Sequence, residues 1–223
     1  MTRIKICCIG STEEARVAVQ LGASAVGLVS EMPSGPGVIS EKLIAEIAAT
    51  VPPPVGTFLL TCKQDPGDIG RQQRRCGVNT IQICDRLPRG AHAELREALP
   101  GIALVQVVHV TGEESLREAL EVAAHVDALL LDSGNQSLTV KELGGTGRTH
   151  DWEISAQIVQ RAAIPVFLAG GLNPTNVATS IRVVRPFGVD VCSGVRTDGR
   201  LDEDKARRFM SAVAAATEAR AVA

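Results

Sequence analysis

The sequence is poor in aromatic residues, with no tyrosine, one tryptophan and four phenylalanines among 223 residues. Few side chains are therefore available to stack on unpaired bases, as proteins that bind single-stranded nucleic acid require. The formal net charge of −2 provides no basic field for a nucleic acid or a membrane surface. No apolar run approaches the ~18 residues that a membrane-spanning helix needs. We therefore expect neither nucleic acid nor a membrane as a partner.

Metal-site spacing is also missing from the sequence. The four histidines are scattered, and none of the six cysteines forms a Cys-x-x-Cys motif; the cysteines stand at positions 7, 8, 62, 76, 84 and 192. This pattern predicts no metal site and thiols that are reduced and mostly buried as small hydrophobic groups. The N-terminus leads directly into a strand-like run instead of a signal peptide, so we expect a cytoplasmic protein.

Alanine, valine, isoleucine and leucine supply the hydrophobic mass, the mixture typical of strands covered on both faces. Strand-like and helix-like segments alternate with short connections. The predicted strands are 3–9, 25–30, 55–61, 79–84, 102–110, 127–131, 166–169 and 189–192. The predicted helices begin at Ser11 and then span 41–50, 65–75, 91–98, 112–124, 152–162, 174–184 and 202–216. Eight such units in 223 residues predict an α/β fold, a single closed (β/α)8 TIM barrel occupying 1–223 with its helices outside.

Two successive strands between residues 164 and 195 end in small residues. Gly170 and Gly171 follow one strand, and Ser193 and Gly194 follow the next. Such endings leave backbone N–H groups open to an anion, and the loops after strands 7 and 8 are the usual phosphate site of this barrel. A pair of glycines can also simply turn the chain, but the repetition favours phosphate binding.

Reactive side chains also follow strands, where the active site of such a barrel is built. Asp132 comes after an apolar run and either stabilises a loop turn or serves as a general acid. The thiol of Cys7 either packs as a small hydrophobic group or, as a thiolate, takes a proton from carbon. Strand alternation places Cys7 and Cys8 on opposite faces, so we expect only one of them in the barrel mouth.

Several motifs together resemble the phosphoribosylanthranilate isomerase family of tryptophan biosynthesis, over nearly the whole chain. The glycine-rich segment among them suits, by itself, either a mobile lid or a surface turn. The motifs are KIC at 5–7, LLLD at 129–132, GGTG at 144–147 with DW at 151–152, AGGLNPTNV at 169–177, and VRPFGVDV at 184–191 followed by SGV at 193–195. Their order and spacing make the resemblance specific.

The resemblance implies a cofactor-free and metal-free isomerase of the aldose–ketose type, an intramolecular oxidoreductase. The implied reaction is the Amadori rearrangement of N-(5′-phosphoribosyl)anthranilate to 1-(2-carboxyphenylamino)-1-deoxyribulose 5-phosphate. Asp132 would protonate the furanose ring oxygen as general acid, and Cys7 would remove the C2′ proton of the Schiff base as general base. The implied phosphate-binding residues are Gly170, Gly171, Ser193 and Gly194.

The chain departs from the family pattern around the anthranilate. The family usually has an arginine for the anthranilate carboxylate in the loop after strand 2, and Gly37 stands there instead. No lysine or arginine lies between Arg16 and Lys42. Losing such a charge-assisted pair costs about 1.5–3 kcal/mol. Other departures are Cys8 for a usual glycine, Cys84-Asp85 for a usual His-Gly, and Arg196 for a usual glutamate.

Three hypotheses cover these departures. The first is the isomerase itself, acting on a small phosphorylated sugar whose carboxylate is bound by another cation; the candidates are Arg86, Arg148 and Arg196. The second is a diverged paralogue that isomerises another phosphorylated aminosugar or aldose, which Gly37 favours. The third is a barrel that binds a phosphoribosyl ligand without turnover, and retention of both Cys7 and Asp132 argues against it. We expect a monomer or a homodimer.

Overall fold

The computed structural model describes residues 1–136, 138–145 and 147–222. Eight parallel strands pair in sequence order, and β8 pairs with β1 to close the barrel. The strands are β1 Arg3–Ile6, β2 Ala25–Val29, β3 Gly56–Thr61, β4 Thr80–Ile83, β5 Ala103–His109, β6 Ala128–Asp132, β7 Val166–Leu168 and β8 Gly188–Val191. The predicted (β/α)8 barrel is therefore confirmed.

Helices cover the outside of the barrel, one after each strand. They are α1 Thr12–Gln20, α2 Glu41–Thr50, α3 Pro66–Cys76, α4 Ala91–Ala98, α5 Glu114–Ala123, α6 Trp152–Arg161, α7 Val177–Val184 and α8 Glu203–Val222. Two of the expected starts are made by serine caps, which satisfy N–H groups that have no partner within the helix. The Ser11 hydroxyl accepts from the N–H of Glu14 at 3.1 Å, and the Ser40 hydroxyl accepts from the N–H of Leu43 at 3.2 Å.

Apolar side chains form two layers of core. The larger layer lies between the strands and the helices, where Leu28, Leu59 and Ile81 are fully buried. The smaller layer fills the barrel interior and contains Phe58 and Phe167, whose rings meet edge to face at 6.0 Å. The interior below the mouth is thus packed, and the carboxyl ends of the strands are left to carry a site.

Some predicted bounds were wrong: α8 ends at Val222 and not at residue 216, and two further errors lie beside the barrel mouth. β1 ends at Ile6 and not at residue 9, because Cys8 has a φ of 62°, in the left-handed region. α7 begins at Val177 and not at 174, because the side chain of Asn173 accepts from the N–H of Thr175 and forms a turn there. After β8 the chain also forms a short 3₁₀ helix, Ser193–Val195, and a two-stranded hairpin of β9 Arg196–Thr197 and β10 Arg200–Leu201.

None of the helices in the described part of the chain combines the length and the apolar character that crossing a membrane requires.

Candidate active site

A cavity opens at the carboxyl ends of the strands. Its described lining comes from residues of or after seven of the eight strands, all but β5, and includes five of the six predicted site residues: Cys7, Asp132, Gly170, Gly171 and Ser193. The sixth, Gly194, is the next residue along the chain in the 3₁₀ helix. The structure therefore brings the sequence-predicted residues together around one space.

Cys7 immediately follows β1. Its backbone N–H donates a hydrogen bond to the carbonyl oxygen of Val191 at 2.8 Å, which fixes the backbone there. Its side chain is buried next to Gly27 of β2. A Cβ added at Gly27 would lie 2.8 Å from Cys7 Sγ and 3.0 Å from Lys5 Nζ. Glycine at this position therefore makes room for both the thiol and the ammonium group.

Cys8 also lines the cavity, so the expectation that only one of the two thiols would face the mouth was wrong. The strict alternation of a strand ends with β1, and the left-handed backbone of Cys8 turns its side chain back toward the mouth. Such a conformation costs a residue with a Cβ about 1–2 kcal/mol relative to the right-handed region. Arg196 supports it, because its guanidinium donates to the carbonyls of both Cys7 and Cys8.

Asp132 is the last residue of β6 and is only 8% exposed. One carboxylate oxygen, Oδ1, accepts from the N–H of Ser133 at 2.7 Å. The other, Oδ2, lies 2.6 Å from the point that a Cβ on Gly144 would occupy. The carboxyl group is thus held at one oxygen, while the other lies beneath the glycine-rich loop that follows β6.

That loop covers part of the mouth. Gly144, Gly145 and Gly147 line the cavity, and a Cβ on Gly145 would come within 2.6 Å of Pro36 in the loop after β2. Thr146, which belongs to the same sequence motif, lies outside the described residues. The two loops therefore meet over the cavity, with glycine allowing the close approach.

The glycines after β7 and β8 leave no room for side chains. Gly170 and Gly171 have φ values of 81° and 60°, and a Cβ on Gly194 would lie 2.0 Å from the carbonyl oxygen of Leu172. The carbonyl of Gly171 is held by the side-chain amide of Asn176 at 3.0 Å. Within the described residues, the N–H groups of Gly171, Ser193 and Gly194 are bonded to no protein acceptor. This arrangement suits an anion with several oxygen atoms.

In the loop after β2, the small residue Gly37 lies directly against the side chain of Cys8. Gly37 has a φ of 82°, and a Cβ there would lie 2.5 Å from Cys8 Cβ and 3.0 Å from Cys8 Sγ. Cys8 therefore occupies the space that a side chain at position 37 would enter. The two departures from the family pattern, a larger residue at 8 and a smaller one at 37, are physically linked.

Each of the three arginines considered for the substrate carboxylate is paired with a glutamate. Arg86 pairs with Glu118 and Arg148 with Glu142, and neither arginine is among the residues that line the cavity. The third, Arg196, pairs with Glu14 at 3.2 Å and is 8% exposed in its side chain. No lysine or arginine occurs in the described lining of the cavity. The negative charge that Asp85 adds after β4 is met by Lys141, with Nζ 2.5 Å from Oδ2.

One element of the site was not identified in the sequence: a buried ion pair at the floor of the cavity. Lys5 of β1 and Asp190 of β8 are register partners, with Nζ 2.9 Å from Oδ2. Burial acts against the charge of Lys5, but Asp190 outweighs it, and the pKa of Lys5 is raised. The signal was present as one charged residue in the middle of each of two apolar strands, which a closed barrel makes neighbours.

His150 is a second residue that the sequence analysis did not single out. Its Nε2 lies 2.8 Å from the hydroxyl of Ser155, and its Nδ1 lies 2.9 Å from the point that a Cβ on Gly170 would occupy. Burial lowers the pKa of His150, while Asp132 and Asp151 act in the opposite direction. The lowered pKa favours a neutral imidazole, which packs behind Gly170.

Comparison with known proteins gives one consistent result. Residues 4–212 match the family model for N-(5′-phosphoribosyl)anthranilate isomerase. The chain is 37% identical over 216 residues to the N-(5′-phosphoribosyl)anthranilate isomerase of Haloferax volcanii, covering 95% of this chain and 93% of the relative.

Solved structures agree with the sequence comparison. The crystal structure of phosphoribosyl anthranilate isomerase from Thermotoga maritima superposes with a TM-score of 0.83 at 31% identity, covering 96% of this chain and all of that one. A crystal structure of such an isomerase in complex with reduced 1-(o-carboxyphenylamino)-1-deoxyribulose 5-phosphate gives a TM-score of 0.80 at 30% identity, again covering 96% of this chain and all of that one.

Proposed function

This chain belongs to the N-(5′-phosphoribosyl)anthranilate isomerase family of tryptophan biosynthesis, and we propose that Cys7 and Asp132 carry out its rearrangement as general base and general acid. The observation that supports these roles most is that both groups line one cavity together with the glycine cradle after β7 and β8. The ribose of the substrate then lies in this cavity, between the acid–base pair and the cradle. The enzyme is an isomerase of the aldose–ketose type.

The chemistry proceeds in two proton transfers. Asp132 gives a proton to the furanose ring oxygen, the bond from C1′ to that oxygen breaks, and the lone pair of the anthranilate nitrogen forms the C1′ iminium. The iminium acidifies C2′, and the thiolate of Cys7 removes the proton there. The electrons of the C2′–H bond form the enol-amine, which tautomerises to the ketose. Modest acids and bases suffice because the substrate nitrogen supplies the electron pair.

The phosphate of the substrate binds at Gly170, Gly171, Ser193 and Gly194. These residues lie in the two adjacent loops after β7 and β8, and hydrogen bonds from N–H groups to an anion are stronger than those to neutral acceptors. Anchoring the phosphate fixes the ribose relative to the acid and the base, which lowers the entropic cost of the reaction.

The anthranilate ring lies toward the loop after β2, where Ser34, Gly35 and Pro36 line the cavity. The described lining has no cation to pair with the carboxylate there. Binding of the ring then depends on apolar contact and on polar groups without formal charge, so the KM for this substrate is high relative to a pocket with an arginine. The same observation supports the alternative that a related phosphorylated aminosugar without the carboxylate is also accepted.

Turnover of freshly generated N-(5′-phosphoribosyl)anthranilate, followed by loss of its fluorescence, tests the roles. The variants Cys7→Ala and Asp132→Asn are expected to lose at least about a hundredfold in kcat, because each removes one proton-transfer group. Cys62→Ser serves as the matched control, since Cys62 is a half-buried thiol that does not line the cavity. Full turnover by either active-site variant would refute the role given to that residue.

A monomer or homodimer and a cytoplasmic location remain predictions; light scattering on the purified chain distinguishes the two oligomeric states.

A further inference from the structure

Two thiols that the reaction does not use face each other in the barrel mouth. Cys8 Sγ and Cys192 Sγ lie 2.7 Å apart, only about 0.7 Å beyond the length of a disulfide bond. They follow adjacent strands, since Ile6 of β1 is the register partner of Val191 of β8. Both side chains line the cavity. The two sulfur atoms are therefore already neighbours, close to the separation of a bonded pair.

The backbone around the pair is fixed by contacts that a bond between the thiols would leave intact. Cys8 keeps its left-handed conformation with its carbonyl bonded to Arg196, and the N–H of Cys7 is bonded to the carbonyl of Val191. Cys7 Sγ instead lies against Gly27, on the β2 side of β1. The geometry thus selects Cys8, and not Cys7, as the neighbour of Cys192.

We propose that Cys8 and Cys192 form a redox-active dithiol, which a hydroperoxide such as hydrogen peroxide converts to a reversible disulfide across the mouth of the barrel. The site is a place of covalent modification, and formation of the disulfide does not require the proposed acid–base roles. Its substrate class is the hydroperoxides, which are small enough to enter the open cavity.

The two thiols differ in a way that suits this chemistry. The hydrogen bond with Cys8 lowers the pKa of Cys192 against the effect of burial, and the guanidinium of Arg196 acts in the same direction. The pKa of Cys8 is raised, first by its hydrogen bond with Cys192. Cys192 is also the more exposed of the two. Because the thiolate is the nucleophile, Cys192 attacks the oxidant and Cys8 resolves the product.

The atoms and electrons balance in two steps. The Cys192 thiolate attacks one peroxide oxygen, the O–O bond breaks, and the leaving hydroxide takes a proton to become water, which leaves a sulfenic acid on Cys192. The Cys8 sulfur then attacks the Cys192 sulfur, its proton joins the departing hydroxide, and a second water leaves. Two thiols are oxidised by two electrons in total, and the peroxide is reduced to two waters.

Peptide mapping after oxidation tests the proposal. The reduced protein is treated with a stoichiometric amount of hydrogen peroxide, free thiols are blocked with N-ethylmaleimide under denaturing conditions, and the chain is digested with trypsin. We expect a loss of two free thiols per chain and a cross-link between fragments 6–16 and 183–196, at a mass lower by two hydrogens. Dithiothreitol should restore both thiols. No step depends on turnover, so this result is independent of the isomerase assay.

Variants assign the cross-link. Cys192→Ser and Cys8→Ser should abolish it, whereas Cys7→Ser and the control Cys62→Ser should retain it. Cys8→Gly provides a second test at position 8, because glycine adopts the left-handed conformation of that residue without strain. A cross-link that survives in Cys8→Gly, a disulfide within fragment 6–16, or oxidation of Cys192 to a sulfinic acid with no cross-link would each overturn the proposal.

Discussion

The two ends of the cavity are built in opposite ways. At the end after β7 and β8, which we propose binds the phosphate, an added Cβ would meet backbone atoms, as at Gly194 and the carbonyl of Leu172. At the opposite end, after β1 and β2, side-chain volume is exchanged between Cys8 and Gly37. At Gly194 the nearest atoms belong to the backbone and cannot give way, whereas the contact between Cys8 and Gly37 can be reversed by changing two side chains.

This difference predicts which substitutions each end of the cavity tolerates. A backbone–backbone contact tolerates no added Cβ, so the glycine cradle after β7 and β8 is retained. A contact between two side chains tolerates a compensated change, so a larger residue at position 8 accompanies a smaller one at position 37. Variants at the two ends should therefore differ in size of effect and in additivity.

Of the two ends, the one proposed to bind phosphate should show the larger effect on kcat/KM. In Gly194→Ala the new methyl group lies 2.0 Å from the Leu172 carbonyl oxygen and 2.9 Å from Asn173 Cα, so the backbone must move. We expect about 1–3 kcal/mol less stability toward urea, because overpacking costs this much. Displacing a single N–H donor from the phosphate should cost a further ten- to hundredfold in kcat/KM, since such a bond contributes about 1.5–3 kcal/mol.

The control for this variant is Gly10→Ala. A Cβ at Gly10 would meet only Glu14 Oε2, at an ordinary 3.8 Å. Its stability should stay within about 0.5 kcal/mol of the starting protein, as for most surface changes. Equal losses in the two alanine variants would show that the backbone contact at Gly194 is not what makes the phosphate end rigid.

A non-additive effect on stability, with a smaller effect on kinetics, is expected at the other end. Gly37→Arg alone should destabilise the protein by about 2–3 kcal/mol, because its Cβ meets Cys8 and its φ of 82° is strained for arginine. Adding Cys8→Gly removes the contact with the Cys8 side chain and leaves the φ strain. The double-mutant cycle should therefore show a coupling of about 1–2 kcal/mol.

The same cycle reports on the substrate. If the restored arginine reaches the carboxylate, the double variant should have a KM for N-(5′-phosphoribosyl)anthranilate about tenfold lower than the starting protein, as a charge-assisted pair predicts. Additive stabilities together with an unchanged KM would contradict the exchange of volume between the two positions. Denaturant titration and steady-state kinetics provide the two measurements.

The two ends also differ in how far the sequence predicts them. The glycine cradle follows from local order, because a strand that ends in small residues has the same consequence in any parallel barrel. The conformation of Cys8 does not, since it is supported by the guanidinium of Arg196, which lies 188 positions away in the chain. For the same reason Arg196 was a candidate for the substrate carboxylate until its pairing with Glu14 was seen.

Strand order and most helix starts were predictable because caps and apolar runs are local. The ion pair of Lys5 and Asp190 required the closure of β1 against β8, which turns two isolated charges into partners. Alternation along β1 was extrapolated past Ile6, where the strand ends, and this produced the error about Cys8. The error about Cys8 thus lies where a contact with a distant residue supports the backbone, whereas the late start of α7 follows from the local turn at Asn173.

The smallest expected effect concerns the support beneath Cys8, which depends on Glu14. Burial would raise the pKa of Glu14, but the N–H groups of Leu201 and Gly10 and the guanidinium of Arg196 lower it. A lowered folded-state pKa means that the stabilisation is present above about pH 4.3, the unfolded value, and is lost as the pH falls through the folded value.

Glu14→Gln should therefore cost about 1 kcal/mol at pH 7, allowing for partial exposure, and less at pH 4. Urea titrations at both pH values measure this, with the exposed neighbour Glu13→Gln as control. If the deficit of Glu14→Gln is the same at both pH values, the charge of Glu14 does not support the end of β1, and the end of the cavity after β1 and β2 depends on side-chain volume alone.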